Sequence, residues 1–405
     1  MAHRYRLYPT EAQLPTLYMH VGHSRYVWNM ALEQCSYARE FGRYADQSAW
    51  NKQLAEARRF SWLKEGSSSV QQGALRDLRQ AFRNWWGNPG HFSPPRWRSR
   101  HRGSQGFVVR DLTLVKVNRR WSELTVPKAG RVRFRLSRPV PHEATSARVT
   151  VDRSGRWHVS FVAPQPTFER TTTHKAVGLD MGIAATVTTS DGEHLRMGRL
   201  LSEGERARRL KLERKLARQQ KGSCRRGRTK RSLAKLTARE GDRRNDWIEK
   251  ATTRLVRDYD LIVIEDLKVK NMVRSAKGTF ESPGRGVSQK TGLNREIHNQ
   301  AWSTFRQRLT DKAGAATSMC TVISVDPRNT SRRCSSCSYT AKENRENQTV
   351  FLCQACGYSN NADINASINI LAAGQAVCGR GGKVSLGSSS NPRETSTPVL
   401  RNPRP

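Results

Sequence analysis

Lys175-Ala-Val-Gly-Leu-Asp180 is a short apolar strand that ends in a carboxylate, and Leu261-Ile-Val-Ile264, followed by Glu265-Asp266, repeats the arrangement. Apolar runs of this length read as buried strands. Asp180 is followed by a second strand and the turn Ser190-Asp191-Gly192, and Thr321-Val-Ile-Ser-Val325 is a further strand. A third acidic residue, Asp363, sits in Asn360-Asn-Ala-Asp363-Ile-Asn-Ala-Ser-Ile-Asn-Ile370, which reads as a helix start with Asp363 on the side facing the sheet. Carboxylates at the ends of apolar strands can converge on hard divalent cations, which prefer oxygen ligands. Two such ions a few ångströms apart clamp a phosphodiester in line and activate water. Taken singly, Asp180 or Asp363 reads equally as a turn or capping residue, and Glu265 as a salt-bridge partner. Their order along the chain, with a cysteine insert before the third, favours a common site.

That insert is Cys334-Ser-Ser-Cys337, fifteen residues, then Cys353-Gln-Ala-Cys356. Each pair suits one knuckle, whose turn aims two thiolates at one point, and two knuckles complete a closed tetrahedral zinc site. A site without an open position is structural. Gly357 follows the second pair as knuckle turns favour, whereas Ser338 follows the first. The other cysteines (Cys35, Cys224, Cys320 and Cys378) are scattered, and eight in 405 residues are too few for a disulfide scaffold.

Upstream, Arg4-Tyr-Arg-Leu-Tyr8 alternates like a strand and ends at Pro9; Thr10 reads as a helix N-cap with Glu11 in the first turn. The pattern is helical from there to Trp86. Val70, Ala74, Leu78, Ala81, Phe82 and Trp85 build one apolar stripe that Gly87-Asn88-Pro89-Gly90 stops. The period then changes to two. Val132, Phe134 and Leu136, then Ala147, Val149 and Val151, then Trp157, Val159 and Phe161 alternate with polar residues, predicting an antiparallel sheet or barrel over 105–163. Residues 201–244 hold 17 Lys/Arg against 5 Asp/Glu and predict a basic helical hairpin turning near Gly222–Gly227. Residues 272–292 read as a mobile loop, with 268–292 a candidate lid over the carboxylates. Leu293 to about Ala316 reads as one helix, with Ile297, Ala301, Phe305 and Leu309 on one face.

The net charge is +38, from 72 Lys/Arg and 34 Asp/Glu. Such a charge opposes compaction unless a polyanion neutralises it; nucleic acid is the obvious polyanion, and an acidic membrane surface is the runner-up. No apolar stretch is long enough to span a bilayer, and Met1–Gln13 lacks the apolar core of a secretory signal. A cytoplasmic, nucleoid-associated location follows as an expectation. Arg96, Arg98, Arg100 and Arg102 flank Trp97 and His101, a composition suited to phosphates and a stacked base. Arg225-Arg226-Gly-Arg228-Thr-Lys230-Arg231 suits a duplex read through its backbone. Either run reads alternatively as a solvated charged surface.

Gly178-Leu-Asp180-Met-Gly182, Ile264-Glu265-Asp266-Leu267 and Asn361-Ala-Asp363-Ile-Asn365 resemble the three RuvC motifs of the transposon-encoded TnpB nucleases, compact relatives of type V CRISPR effectors. Arg6-Leu-Tyr-Pro-Thr10, Pro95-Arg-Trp-Arg98, Leu293-Asn-Arg295 and Val325-Asp-Pro-Arg-Asn-Thr-Ser331 extend the resemblance over about residues 4–373. It implies an α/β protein with all-β and helical lobes: an RNase H-like RuvC nuclease domain with an inserted zinc ribbon, and an N-terminal wedge β-barrel with an inserted helical recognition lobe. The implied boundaries are 1–10 and 91–170 for the wedge, 11–90 for the recognition lobe, and 171–332 with 357–374 for the nuclease. The ribbon would span 333–356 and a flexible basic tail 375–405. Asp180, Glu265 and Asp363 would be the catalytic triad on two Mg²⁺ ions, and Cys334, Cys337, Cys353 and Cys356 the structural Zn²⁺ ligands.

Implied partners are a transposon-derived guide RNA and a double-stranded DNA target carrying a short adjacent motif, with the protein a monomer in a prokaryotic cell. Glu249 stands where the resemblance leads one to expect a histidine. The alternatives are a compact type V CRISPR effector and an RNA-guided DNA-binding regulator that does not cut. A single-strand transposase is disfavoured, since none of the ten histidines has another two residues away.

Overall fold

A computed structural model describes residues 2–42, 46–60, 62–100, 105–141, 144–162, 164, 167–347 and 349–379. Two units emerge, one of Met1–Pro166 with Glu203–Ala238, the other of Thr167–Ser202 with Arg239 onward. Among the described residues no helix is long and apolar enough to cross a membrane.

In the first unit β1 (Ala2–Tyr8), β2 (Gln105–Arg110), β3 (Leu114–Lys116), β4 (Trp121–Val126), β5 (Gly130–Arg135), β6 (Ser146–Val151) and β7 (Trp157–Val162) form one sheet. Its order is β2-β6-β7-β1-β5-β4-β3, and every pairing is antiparallel. The amino-terminal strand therefore lies mid-sheet, although well over a hundred residues of chain separate it from the strands on either side. Tyr5, Leu7, Phe107, Phe134 and Phe161 are buried on the same face, and the Tyr5 hydroxyl donates to the Pro139 carbonyl at 2.8 Å. Helices α1 (Leu14–Glu40), α2 (Gln47–Phe60) and α3 (Ser68–Gly87) belong to this unit. Val70, Ala74, Leu78 and Phe82 are buried as their spacing predicts.

Thr10 does not cap α1. It opens a turn, with Gln13 N–H donating to its carbonyl at 3.1 Å, and the helix starts four residues later at Leu14. Pro15 sets that start, because a first-turn proline lacks an N–H that would have no helical partner anyway. Gln13 Nε2 meanwhile donates to the carbonyls of Ala129 and Arg131, at 3.1 and 2.8 Å, which pins the turn to β5.

The basic segment forms α4 (Glu203–Arg218) and α5 (Cys224–Asp258), and the break between them comes earlier than Gly227, which lies within α5. Residues 203–238, expected with the nuclease domain, group with the first unit, and α5 continues into the second.

The second unit is built on β8 (Ala176–Asp180), β9 (Val187–Thr189), β10 (His194–Leu195), β11 (Leu261–Glu265) and β12 (Thr321–Val325), in the order β10-β9-β8-β11-β12. β8, β11 and β12 are parallel, while β9 and β10 run against their neighbours. The unit also contains α6 (Val269–Met272), α7 (Val287–Gln300), α8 (Trp302–Ala313), β13 (Val350–Leu352), β14 (Ser359–Asn361) and α9 (Ala362–Gly379). Alternation along β11 divides the core. Ile262 and Ile264 pack with Ile248, Leu255, Phe305 and Leu309, whereas Val263 packs with Ile323, Val325 and Ile370 of α9. Parallel strands covered on both faces explain the unbroken apolar runs.

Three expectations in this unit are corrected. The helix expected from Leu293 to Ala316 is two helices, divided at Ala301, whose φ of 52° is left-handed. That kink starts α8 on Trp302, which is buried with Phe305 and Leu309. The loop expected over 272–292 is irregular only to residue 286, because α7 begins at Val287. The last helix also runs to Gly379, five residues into the expected tail; the rest of that tail lies outside the described residues, as do His101 and Arg102.

Helix α9 lies hard against the sheet because two glycines permit it. A Cβ on Gly178 would stand 2.1 Å from the Ser367 carbonyl oxygen and 2.6 Å from Leu371 N. A Cβ on Gly374 would stand 2.3 Å from a Val263 methyl. The Gly178 contact is with helix backbone, which cannot rotate away. Gly178→Ala is therefore expected to cost about 1–3 kcal/mol or more by overpacking. Thermal melting checks this, and an unchanged melting temperature would contradict the close approach.

Candidate active site and thiolate cluster

Leu179 of β8 is in register with Ile264 of β11, so the residue that follows each, Asp180 and Glu265, ends adjacent parallel strands. Asp363 arrives from the first turn of α9. The Asn361 side chain caps that helix, its Oδ1 accepting from Asp363 N at 3.0 Å and Ile364 N at 3.2 Å. The close packing of α9 on Gly178 thus brings the third carboxylate to the strand that carries the first.

The three carboxylates also act on one another electrostatically. Burial pushes the Asp180 carboxyl up to about 7, with the negative charges of Glu265 and Asp363 adding to the rise and Arg345 opposing it. Burial also raises Glu265, against a hydrogen bond from Thr330. A buried cluster of like charges is unfavourable alone, and a divalent cation with oxygen ligands relieves it. The donor set therefore fits hard cations. The carboxylates stand further apart than the thiolates, which are the one set of three or more His, Cys, Asp or Glu among the described residues gathered within 4.8 Å.

Arg345 is the participant that the sequence reading missed. Its Nη2 lies 3.6 Å from Asp363 Oδ1, which puts a cation at the edge of the acidic cluster. It lies between the two cysteine pairs, where an arginine carries no distinguishing sequence signal. Asp266, next to Glu265, instead pairs with Arg306 at 2.7 Å and with Lys268. Glu249 binds Arg308 through both its oxygens and Lys312 at 2.9 Å, so it ties α5 to α8 as an ion-paired strut.

The four cysteines come from two near-identical knuckles. Cys334 N donates to Tyr339 O and Ser338 N to Cys334 O; Cys353 N donates to Tyr358 O and Gly357 N to Cys353 O. Cys334 and Cys356 sulfurs are 3.7 Å apart, and those of Cys337 and Cys353 are 3.6 Å apart. A tetrahedral zinc with bonds of about 2.3 Å requires sulfur separations near ~3.8 Å, so the cluster is compatible with zinc.

Ser338 and Gly357 share a left-handed backbone, with φ of 66° and 69°. The serine departs from knuckle preference in sequence but not in geometry. Ser338→Gly should remove that strain and stabilise the protein by about 0.5–1 kcal/mol. The loss of an exposed bond from Arg333 to Ser338 Oγ offsets little of this. A lower melting temperature for Ser338→Gly would contradict the estimate.

The candidate nucleic-acid residues separate into two groups. Arg96, Trp97, Arg100, Arg225 and Arg228 are exposed. Arg98 is turned inward: its guanidinium stacks 3.5 Å over the Trp28 ring and lies 4.0 Å from Asp77, and burial lowers it to about 10. Its backbone is clamped by Asn29, which donates to Arg98 O at 2.9 Å and accepts from Arg98 N at 2.8 Å. Arg226 donates to the carbonyls of Leu216 and Gln219, the latter at 2.9 Å, and so caps the end of α4. These two arginines, expected at the nucleic-acid surface, hold the scaffold that presents the others.

Residues 148–276 match the OrfB_IS605 family, described as a probable transposase, and residues 302–370 match a Cas12f1-like TNB domain. A protein of Escherichia coli K12 named "Putative RNA-guided DNA endonuclease InsQ" is 36% identical over 394 residues, 95% of each chain. The chain belongs to the OrfB/TnpB family. A second TnpB-like relative, a "Putative RNA-guided DNA endonuclease" of Streptomyces pristinaespiralis, is 34% identical over 94% of this chain and 91% of its own. The same overall fold occurs in a Cas12f1–sgRNA–target DNA complex, with a TM-score of 0.51 at 12% identity, covering 89% of this chain and 82% of that one. Residues 1–43 match a family segment described as a helix-turn-helix domain. In this TnpB-like chain the described part of that segment is a strand and one long helix.

Proposed function

We propose that this protein is a transposon-encoded, RNA-guided DNA endonuclease that cuts double-stranded DNA beside a short recognised motif by phosphodiester hydrolysis. The observation that carries it is the convergence of Asp180 and Glu265, at the ends of adjacent parallel strands, with Asp363 from the first turn of the helix packed on Gly178, close enough that the charges of Glu265 and Asp363 raise the Asp180 carboxyl. The unit that holds them is read as an RNase H-like RuvC domain, with the cysteine module as an inserted zinc ribbon. The seven-stranded sheet with residues 1–10 and 91–170 is read as the wedge, and 11–90 as the recognition lobe.

Two Mg²⁺ ions held by the three carboxylates would supply charge neutralisation of the scissile phosphate and an activated water. Asp180 and Glu265 orient their oxygens from neighbouring rigid strands, so the donor geometry needs little reorganisation. Asp363 completes the set from a helix whose backbone is locked on Gly178. Arg345 is placed beside Asp363 to pair with a phosphate oxygen and so to orient the substrate. Exposed Arg225 and Arg228 suit backbone contacts to a guide–target duplex, and Arg96, Trp97 and Arg100 suit contacts combining phosphate pairing and stacking. Exchanging a DNA duplex for an RNA–DNA hybrid is nearly balanced in energy, so such contacts tip it.

The reading is tested by expressing the protein with the DNA that flanks its gene and sequencing the RNA that copurifies. One abundant species with a fixed scaffold and a variable 3′ end is expected. A heterogeneous smear would mean that the +38 charge gathers RNA indiscriminately, which contradicts guiding.

A further inference from the structure

Thr330 lies between β12 and the first knuckle, in the Val325–Ser331 stretch, and neither hydrolysis nor thiolate ligation uses it. Its hydroxyl donates to Glu265 Oε1 at 2.6 Å, and the two residues are only 8% and 7% exposed. The Pro327 carbonyl is a second acceptor at 3.0 Å. A hydroxyl has one proton, and the nearer, charged oxygen takes it. Glutamate has three side-chain torsions, so a carboxylate without such a tie samples several orientations at the end of its strand. The bond holds one oxygen of Glu265 in place.

Thr330 is itself held by α9. Asn369 Nδ2 donates to the Thr330 carbonyl at 2.9 Å and to the Arg333 carbonyl at 2.7 Å. One turn earlier, Asn365 donates to the same Arg333 carbonyl at 2.8 Å and accepts from Ser335 N at 3.0 Å. Both asparagines are buried, at 0% and 9% exposure, on a helix where asparagine is a poor former. Their bonds bracket Cys334. A continuous buried network therefore joins Glu265 on β11, the helix that carries Asp363, and the backbone of the first cysteine knuckle.

We propose that Thr330 is the positioning residue of the acidic centre, fixing Glu265 through its hydroxyl while Asn369 keeps it in register with the Asp363 helix and the cysteine knuckle. The proposal rests on the nuclease reading for its consequence in catalysis, and on metal binding alone for its first test. Partners that orient a metal ligand are worth roughly ten- to a hundredfold in metal affinity or activity.

The test uses the full chain purified with its RNA. Mn²⁺ binding is followed by electron paramagnetic resonance, and cleavage of a matched target is followed across a magnesium titration. Thr330→Val keeps the shape and removes the hydroxyl; it should weaken Mn²⁺ binding, and raise the magnesium needed for half-maximal rate, by roughly ten- to a hundredfold. Thr330→Ser should restore both to within about threefold, because it keeps the hydroxyl donor. Asn369→Ala should shift both in the same direction as Thr330→Val, and it serves if the valine variant does not fold. A purely structural role would lower the melting temperature without moving either metal titration.

Wild-type Mn²⁺ affinity in Thr330→Val or, where that variant does not fold, in Asn369→Ala overturns the proposal. So does a wild-type protein that binds no Mn²⁺. A wild-type protein that binds Mn²⁺ but does not cut sinks the nuclease reading, and the Mn²⁺ comparison still decides the role of Thr330.

Discussion

Asp180→Ala is expected to lower guided DNA cleavage by on the order of a thousandfold or more while leaving RNA and DNA binding intact. Glu265→Gln and Asp363→Ala should do the same, because the three residues act as one ligand set and losing any one disables the whole. Folding should survive. Asp180 sits in a partly buried cluster where Glu265 and Asp363 repel its charge, and the substitution removes one of the repelling groups. DNA binding should hold or tighten, since a negative charge is lost where a phosphate must come to rest. Single-turnover cleavage, read beside filter or gel-shift binding on the same preparations, separates the two effects. Cutting at the wild-type rate in any of the three variants would remove that residue from the site.

The second large effect is expected at the cysteine cluster. Cys353→Ser should reduce bound zinc from one equivalent to near zero and lower cleavage by on the order of a hundredfold or more. A structural zinc contributes roughly 10–16 kcal/mol in small modules, far more than the short β13–β14 hairpin supplies by itself. The loss should reach the acidic centre because the module carries Arg345, which stands 3.6 Å from Asp363, and because Asn365 binds the knuckle backbone at Ser335. Zinc is measured by elemental analysis of the purified protein. Full zinc stoichiometry in Cys353→Ser would refute a four-thiolate site.

Much of this centre was legible in the sequence because its residues lie where local rules act. Each cysteine pair is a local turn, so spacing alone reveals it, whereas Asp180 and Glu265 show in the sequence only as carboxylates at the ends of apolar strands, and the resemblance of their motifs singles them out. Asp363 is legible as lying at a helix start, and the structure shows that Asn361 rather than Asp363 is the cap. What was not legible depends on residues far apart in the chain. Arg98 and Arg226 look like any other arginines in a basic run, and only the positions of Trp28 and of the α4 carbonyls turn them inward. Arg345 meets Asp363 only once the segment between the cysteine pairs has folded. The break at Ala301 carries no glycine or proline to announce it, and tertiary packing of Trp302 decides it. Thr10 failed as a cap for a similar reason, since Gln13 found partners on a strand more than a hundred residues away.

In the proposed function a bound RNA directs where the carboxylate centre cuts. The most direct measurement replaces the variable segment of the copurifying RNA with a new sequence and maps the ends produced on a DNA that carries both the old and the new match beside the same flanking motif. Cleavage is expected to move to the new match, to require magnesium, and to disappear in Asp180→Ala. Cleavage that stays at the old position, or that persists unchanged without the RNA, would contradict it.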